Sequence, residues 1–183
     1  MASATNQPRM TVEDFLALGD GVYAELIDGE IHMNATPTFD HQHAAQALGR
    51  ALGSWAEPRR AGQALGVPID VDLPSGDIVE AVALFISTPR LGIIDRWIRG
   101  VPDLLVEVLS PSNLAHDRVT KLRFYERNAV PEYWIVDLVA RAVDMYRLEG
   151  GRYRAPIRVG ADDALTSPQL PGFALPVADL FFR

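Results

Sequence analysis

The sequence predicts an α/β or α+β fold, a central mixed sheet flanked by helices. Stretches of helical period, near residues 40–55 and from about 114 to 128, are interspersed with short apolar runs of strand type. The run "DLLVEVL" at 103–109 is apolar on both faces, as expected of a strand in the middle of a sheet. A chain of 183 residues, 48% of them apolar, is most simply one domain with a substantial core.

The elements follow in order. Residues 1–10, "MASATNQPRM", carry no pattern and are expected to be poorly ordered. "TVEDFLAL" reads as a short helix, with Thr11 and Asp14 in capping-box spacing. "YAELIDGEIHMN" reads as two short strands around an Asp28-Gly29 turn. A helix capped by Asp40 follows, with Ala44, Leu48, Leu52 and Trp55 on one face. "GVPIDVDLP" and "IVEAVALFIS" are two strands joined by the turn cluster "PSGD". "GIIDRWIRG" reads as a short helix ending at Gly100. After the 103–109 strand, "SPSN" stops the run, and a helix carries Leu114, Arg118, Lys121 and Tyr125 along one side. "EYWIVDL", "AVDMYRLE" and "RYRAPIRV" are further strands, with Tyr133 and Trp134 in the core and Asp137 at a turn. The proline-interrupted tail "SPQLPGFALPVADLF" is expected to cross the sheet as an extended cover.

Composition narrows the function. No stretch is long and apolar enough to span a membrane, and no secretory signal is visible at the start. Zero cysteines exclude a disulfide framework and a thiolate metal site, which suits a reducing cytoplasm. A net charge of −7 counts against nonspecific coating of nucleic acid. A local basic rim could still form from Arg96, Arg99, Arg118, Lys121, Arg123 and Arg127, although a solvated helix face accounts for most of them.

Glu107 is the residue that demands an explanation. It shares a strand face with Leu105 and Leu109, so its carboxylate loses water and needs a cation, a donor or a proton in return. Asp103 is on the same face but about 13 Å away at roughly 3.3 Å per residue, too far to share one ion. It reads as a solvated or capping residue. Glu107 is therefore either a site carboxylate or half of a structural ion pair. Lys121, flanked by Leu114, Phe124 and Tyr125, is either a partly desolvated cation able to stabilise a developing anion or the partner of Asp117 four residues earlier. Glu25 is an acid between apolar strand neighbours, a ligand or a turn-flanking surface residue. His41 and His43 fit no zinc spacing and read as capping or surface residues, although His41 near a helix start could touch a phosphate.

"YAELIDGEIHM", "FDHQHAAQALGRAL", "VPDLLVEVLSPSNLAHDRVTKLRFYERNAVPEYWIVDL" and "LPGF", in that order, resemble the Uma family of putative restriction endonucleases, over about Thr11 to Phe182. The resemblance implies the restriction-endonuclease-like fold, with extra strands after the core, and a variant PD-(D/E)xK site acting on DNA with Mg²⁺ or Mn²⁺. It implies catalytic roles for Glu25, Glu107 and Lys121. The usual lysine position, two residues after the acid, is Leu109 here, and the family's lysine on the next helix matches Lys121. Glu80 and Ala81 fall where the motif's proline and aspartate are expected. The metal is thus expected on Glu107 and Glu80, with Asp77 a weaker substitute, and Glu80 could reach the site only through a bulge or a one-residue shift. A homodimer would suit double-strand cleavage. Loss of the aspartate leaves a second expectation open: the same fold binding nucleic acid or a protein partner without cleaving. A homodimeric scaffold is the third.

Overall fold

The computed structural model describes residues 9–19, 22–66, 68–110 and 116–182. Residues 1–8 of the start expected to be poorly ordered, Leu114, most of "SPSN" and the Asp117 side chain lie outside them. Met10 is already anchored, its N–H bonded to the Gly29 carbonyl at 3.0 Å.

Helix α1 (Val12–Leu16) begins with the expected capping box between Thr11 and Asp14. Strands β1 (Ala24–Ile27) and β2 (Glu30–Met33) form the expected hairpin. Helix α2 spans Phe39–Arg59. Its cap is Thr38, whose hydroxyl accepts the His41 N–H at 3.3 Å. Asp40 instead sits in the first turn, where a carboxylate favours the helix dipole. Strands β3 (Gly62–Leu65), β4 (Ile69–Leu73), β5 (Asp77–Ala81) and β6 (Ala83–Ser87) follow. The region expected as a helix ending at Gly100 is a 3-10 turn, Thr88–Ile93, and a short strand β7 (Ile98–Arg99). Pro89 starts the turn, and pairing with β4 buries Ile98.

Next come β8 (Leu104–Val108), a π-helical turn (His116–Lys121) and helix α3 (Leu122–Arg127). Strands β9 (Glu132–Asp137), β10 (Ala142–Glu149), β11 (Arg152–Tyr153) and β12 (Ile157–Gly160) extend the sheet. The tail is a hairpin, β13 (Ala164–Ser167) and β14 (Leu170–Pro176), closed by a 3-10 turn at Val177–Leu180. Its prolines interrupt the chain without preventing strand pairing.

The central sheet runs β11-β10-β9-β8-β6-β3, with β12 beside β10. Strand β8 is parallel to β9 and antiparallel to β6, the interior position that its two apolar faces require. Leu104, Val106 and Val108 pack with Leu48, Leu52 and Trp55 of α2 and with Phe173 and Leu175 of the tail hairpin. Leu105 and Leu109 face the opposite side, toward Phe124 and Tyr125 of α3 and residues of a second sheet, β2-β1-β5-β4-β7. Trp134 and Tyr133 are fully buried on opposite faces.

One departure lies beside the site. The stretch 78–87 is not one strand but two, in different sheets, broken at Val82. Val82 and Ala83 both pack with the α2 side, whereas Ala81 and Leu84 pack on the other. The period of two is interrupted there, as in a bulge.

Helix α2 meets β3 through a glycine contact. A methyl group on Gly49 would come within 2.4 Å of the Gly66 Cα, which is backbone and has no rotamer to yield. Gly53, one turn on, has nothing within 4 Å. Gly49→Ala is expected to cost about 1–3 kcal/mol by overpacking. Gly53→Ala should gain about 0.5–1 kcal/mol of helix propensity. Urea denaturation of the two variants checks both signs.

Candidate active site

Three side chains distant along the chain converge. The Lys121 ammonium lies 2.9 Å from Oε1 of Glu25 and 3.0 Å from Oε1 of Glu107. Lys121, Glu25 and Glu107 are 4%, 0% and 3% exposed, which rules out a surface role for each. Glu25 comes from β1, a strand buried at every position, and Glu107 from near the carboxy-terminal end of β8. Lys121 ends the π-helical turn, a widened geometry that recurs at functional sites.

Further donors fix the two acids. The Glu80 N–H donates to Glu25 Oε1 at 2.9 Å, tying that carboxylate to β5. The Tyr125 hydroxyl donates to Glu107 Oε1 at 2.7 Å. Burial, then the charges of Glu107 and Glu25, push the Tyr125 phenol well above its ordinary value, so it remains a donor. Tyr125 lies four residues after Lys121 on the predicted helix side; that spacing was its signal in the sequence.

Acids near these buried carboxylates respond to them. Burial chiefly raises Asp70, and Glu25 raises it further. Burial also raises Glu80, with Asp70 and Glu25 adding to it against a lowering bond from Asn34. That bond, Asn34 Nδ2–H to Glu80 Oε2, measures 3.0 Å. Neither Asn34 nor Asp70 carried a sequence signal, because only the fold brings them beside Glu80.

A cavity of about 470 Å³ opens onto this group, lined by Glu80, Glu107, Lys121, His41, Asn34 and Val82 among others. Glu80 thus lines the cavity from within β5, whose pairing with β4 is regular, and the chain breaks two residues later at Val82. Ala81 corrects the expectation. It is fully buried in an apolar cluster with Val79 and Leu84 and does not line the cavity, whereas Val82, at the break between β5 and β6, does. His41 is neither a cap nor a surface residue. Its ring lines the cavity and is kept less basic than usual by burial, with Lys121 lowering it further against a bond to the Val108 carbonyl. His43 packs instead with Phe39 and Phe182.

The other acids have structural work. Asp77 accepts the Asp28 N–H at 2.6 Å and the Ser75 hydroxyl, holding a turn away from the cavity. Asp103 accepts the Ser87 N–H at 2.6 Å and pairs with Arg90 at 3.4 Å, so it anchors β6. Asp137 accepts two turn N–H groups and pairs with Arg118 at 2.6 Å. Arg127 is likewise tied to Asp28 and Asp77. Of the six candidate rim cations, Lys121 is the one that lines the cavity.

A family model described as Uma2, "Putative restriction endonuclease", matches residues 12–178. The chain belongs to the Uma2 family. Among solved structures it is similar to one described as a putative nuclease belonging to DUF820 from Anabaena variabilis ATCC 29413, with a TM-score of 0.80. Sequence identity is 18%, over 94% of this chain and 97% of that one, a likeness that shows the fold. No curated protein matches the sequence. Both the family resemblance and the nuclease-like fold read from the sequence are borne out. Among the described residues of this Uma2 member, no helix is long and apolar enough to cross a membrane.

Removing the shared cation strands two buried carboxylates. Lys121→Met should cost about 3–5 kcal/mol, and adding Glu107→Gln should recover part of the loss, measured by urea denaturation. Asp70 supplies a pH test. Its raised value means that the folded chain holds the proton more tightly than the unfolded chain. Its contribution to stability is full below the ordinary carboxylate range and is lost as pH rises through the raised value. Asp70→Asn should therefore raise the melting temperature at neutral pH, with the gain shrinking toward pH 3.

Proposed function

We propose that this chain is a metal-dependent nuclease acting on DNA, with Glu107 and Glu80 holding Mg²⁺ or Mn²⁺ and with Lys121 and Glu25 completing the catalytic group. The observation that carries this reading is the Lys121 ammonium, buried between Glu25 and Glu107 at a cavity that Glu80 also lines. The residues present fit such an ion. Glu80 and Glu107 offer oxygen donors, which hard cations take, and the mutual repulsion of Glu80 with Asp70 and Glu25 favours one. The donor set is sparse. Among the described residues no three acidic, histidine or cysteine side chains form a group able to hold a metal. Mg²⁺ commonly keeps several waters and binds one or two carboxylates plus a substrate phosphate, so two acids suffice for a weak site.

When bound, the ion supplies polarisation of the phosphodiester and acidifies the attacking water. Lys121 steadies the negative charge that grows on the phosphate. Glu25 fixes the ammonium, and its bond to the Glu80 N–H holds the strand that carries the second acid. Tyr125 sets the rotamer of Glu107. A cytoplasmic homodimer would bring two such sites to opposite strands of one duplex.

A second reading, the same fold binding nucleic acid without cutting it, is favoured by Val82, an apolar residue in the cavity wall. Plasmid nicking in Mg²⁺ or Mn²⁺ separates the two. The first reading expects slow nicking by the wild type, lowered at least about 100-fold in Glu107→Ala, and faster nicking by Val82→Asp. A wild type that binds DNA but stays inert while Val82→Asp cuts supports the second. If no variant cuts or binds DNA, both fall.

A further inference from the structure

We infer that the cavity takes an unpaired nucleotide of a single strand in preference to intact duplex; this rests on the reading of the cavity as a phosphodiester site. Size is the first argument. About 470 Å³ falls within the roughly 300–1,000 Å³ usual for sites that enclose a small molecule, room for one extruded nucleotide and its phosphate. A paired base, stacked inside a rod that carries its phosphates outside, does not enter a cavity of that size without leaving the stack.

Charge is the second. Proteins that grip duplex DNA neutralise several phosphates with lysine and arginine. Among the described residues lining the cavity, Lys121 is the sole lysine or arginine, and two carboxylates already hold it. The chain carries a net charge of −7, and two of the candidate rim cations, Arg118 and Arg127, are spent on aspartates. The site is therefore built to meet one phosphate rather than a track of them.

The wall is the third. Tyr23 lines the cavity yet is 64% exposed, a flat ring at the mouth with no burial to explain it. Its backbone is anchored, because the Asn34 N–H donates to the Tyr23 carbonyl at 2.9 Å. Exposed aromatic rings beside a strand-sized opening are stacking platforms for unpaired bases. Neutral amides of Asn34 and Gln42 in the same wall can donate to and accept from a base edge, which a paired base would not present. Together these features describe a pocket for a base and its single phosphate, with Tyr23 as the residue that selects the unpaired form.

Fluorescence anisotropy with the full chain tests this, using a labelled single-stranded DNA oligonucleotide, the same sequence as a duplex, and a mononucleotide, in Ca²⁺ to suppress cleavage. The expected result is single-strand binding at least about tenfold tighter than duplex. Tyr23→Ala should weaken single-strand binding about tenfold or more, and Tyr23→Phe should restore it. The ring is exposed, so unchanged thermal melting confirms that the variants are folded. Duplex binding as tight as single-strand binding, or an unchanged affinity in Tyr23→Ala, overturns the inference. A mononucleotide bound as tightly as the oligonucleotide also overturns it, in favour of a free-nucleotide site. Plasmid nicking keeps the two proposals apart: nicking without single-strand preference sinks this inference alone, and single-strand preference without nicking sinks the nuclease reading alone.

Discussion

Two carboxylates in apolar strands share one ammonium, and the site depends on that arrangement. Neither Glu25 nor Glu107 could keep its charge in those surroundings alone, since the loss of hydration exceeds what packing returns. Lys121 answers both, and in doing so joins β1, β8 and the helical segment after β8, elements separated by most of the sequence. The Glu80 N–H adds β5 to the same junction. The floor of the cavity is therefore a polar knot tied from four segments, stiff because each member is held by more than one partner.

Fold and chemistry stand in different relations to this chain. The apolar faces of β8, the cover by α2 and the second sheet give the nuclease-like architecture at low identity to a solved relative. The acidic set is more particular. Ordinary alternation within β5 puts Glu80 at the cavity and Ala81 in the apolar cluster, and Val82, at the break, adds an apolar side chain to the cavity wall. A fold can be shared while the side chains lining its cavity differ.

Sequence reasoning reached the site through residues that violate their surroundings. An acid inside "LLVEVL" and a lysine among apolar neighbours were legible because burying a charge is costly, and the structure joins both to Glu25. Regular elements were legible for the same kind of reason: period, turn chemistry and the Thr11 capping box. What failed depended on tertiary pairing. Nothing local says that 78–87 divides between two sheets, that Ile98 pairs with β4 instead of turning in a helix, or that Thr38 outcompetes Asp40 as the cap. The partners Asn34 and Asp70 were invisible because strand neighbours are chosen by the whole sheet.

The tail hairpin has a consequence for how the chain acquires its shape. Leu165, Phe173, Leu175, Val177 and Leu180 complete the apolar layer over α2 and the central sheet, and the Ser167 hydroxyl donates to the buried Glu132 of β9. Every strand it covers is synthesised before it. On the ribosome, then, the nascent sheet waits with an uncapped greasy flank until residues 164–180 emerge, a window in which chaperone capture competes with closure.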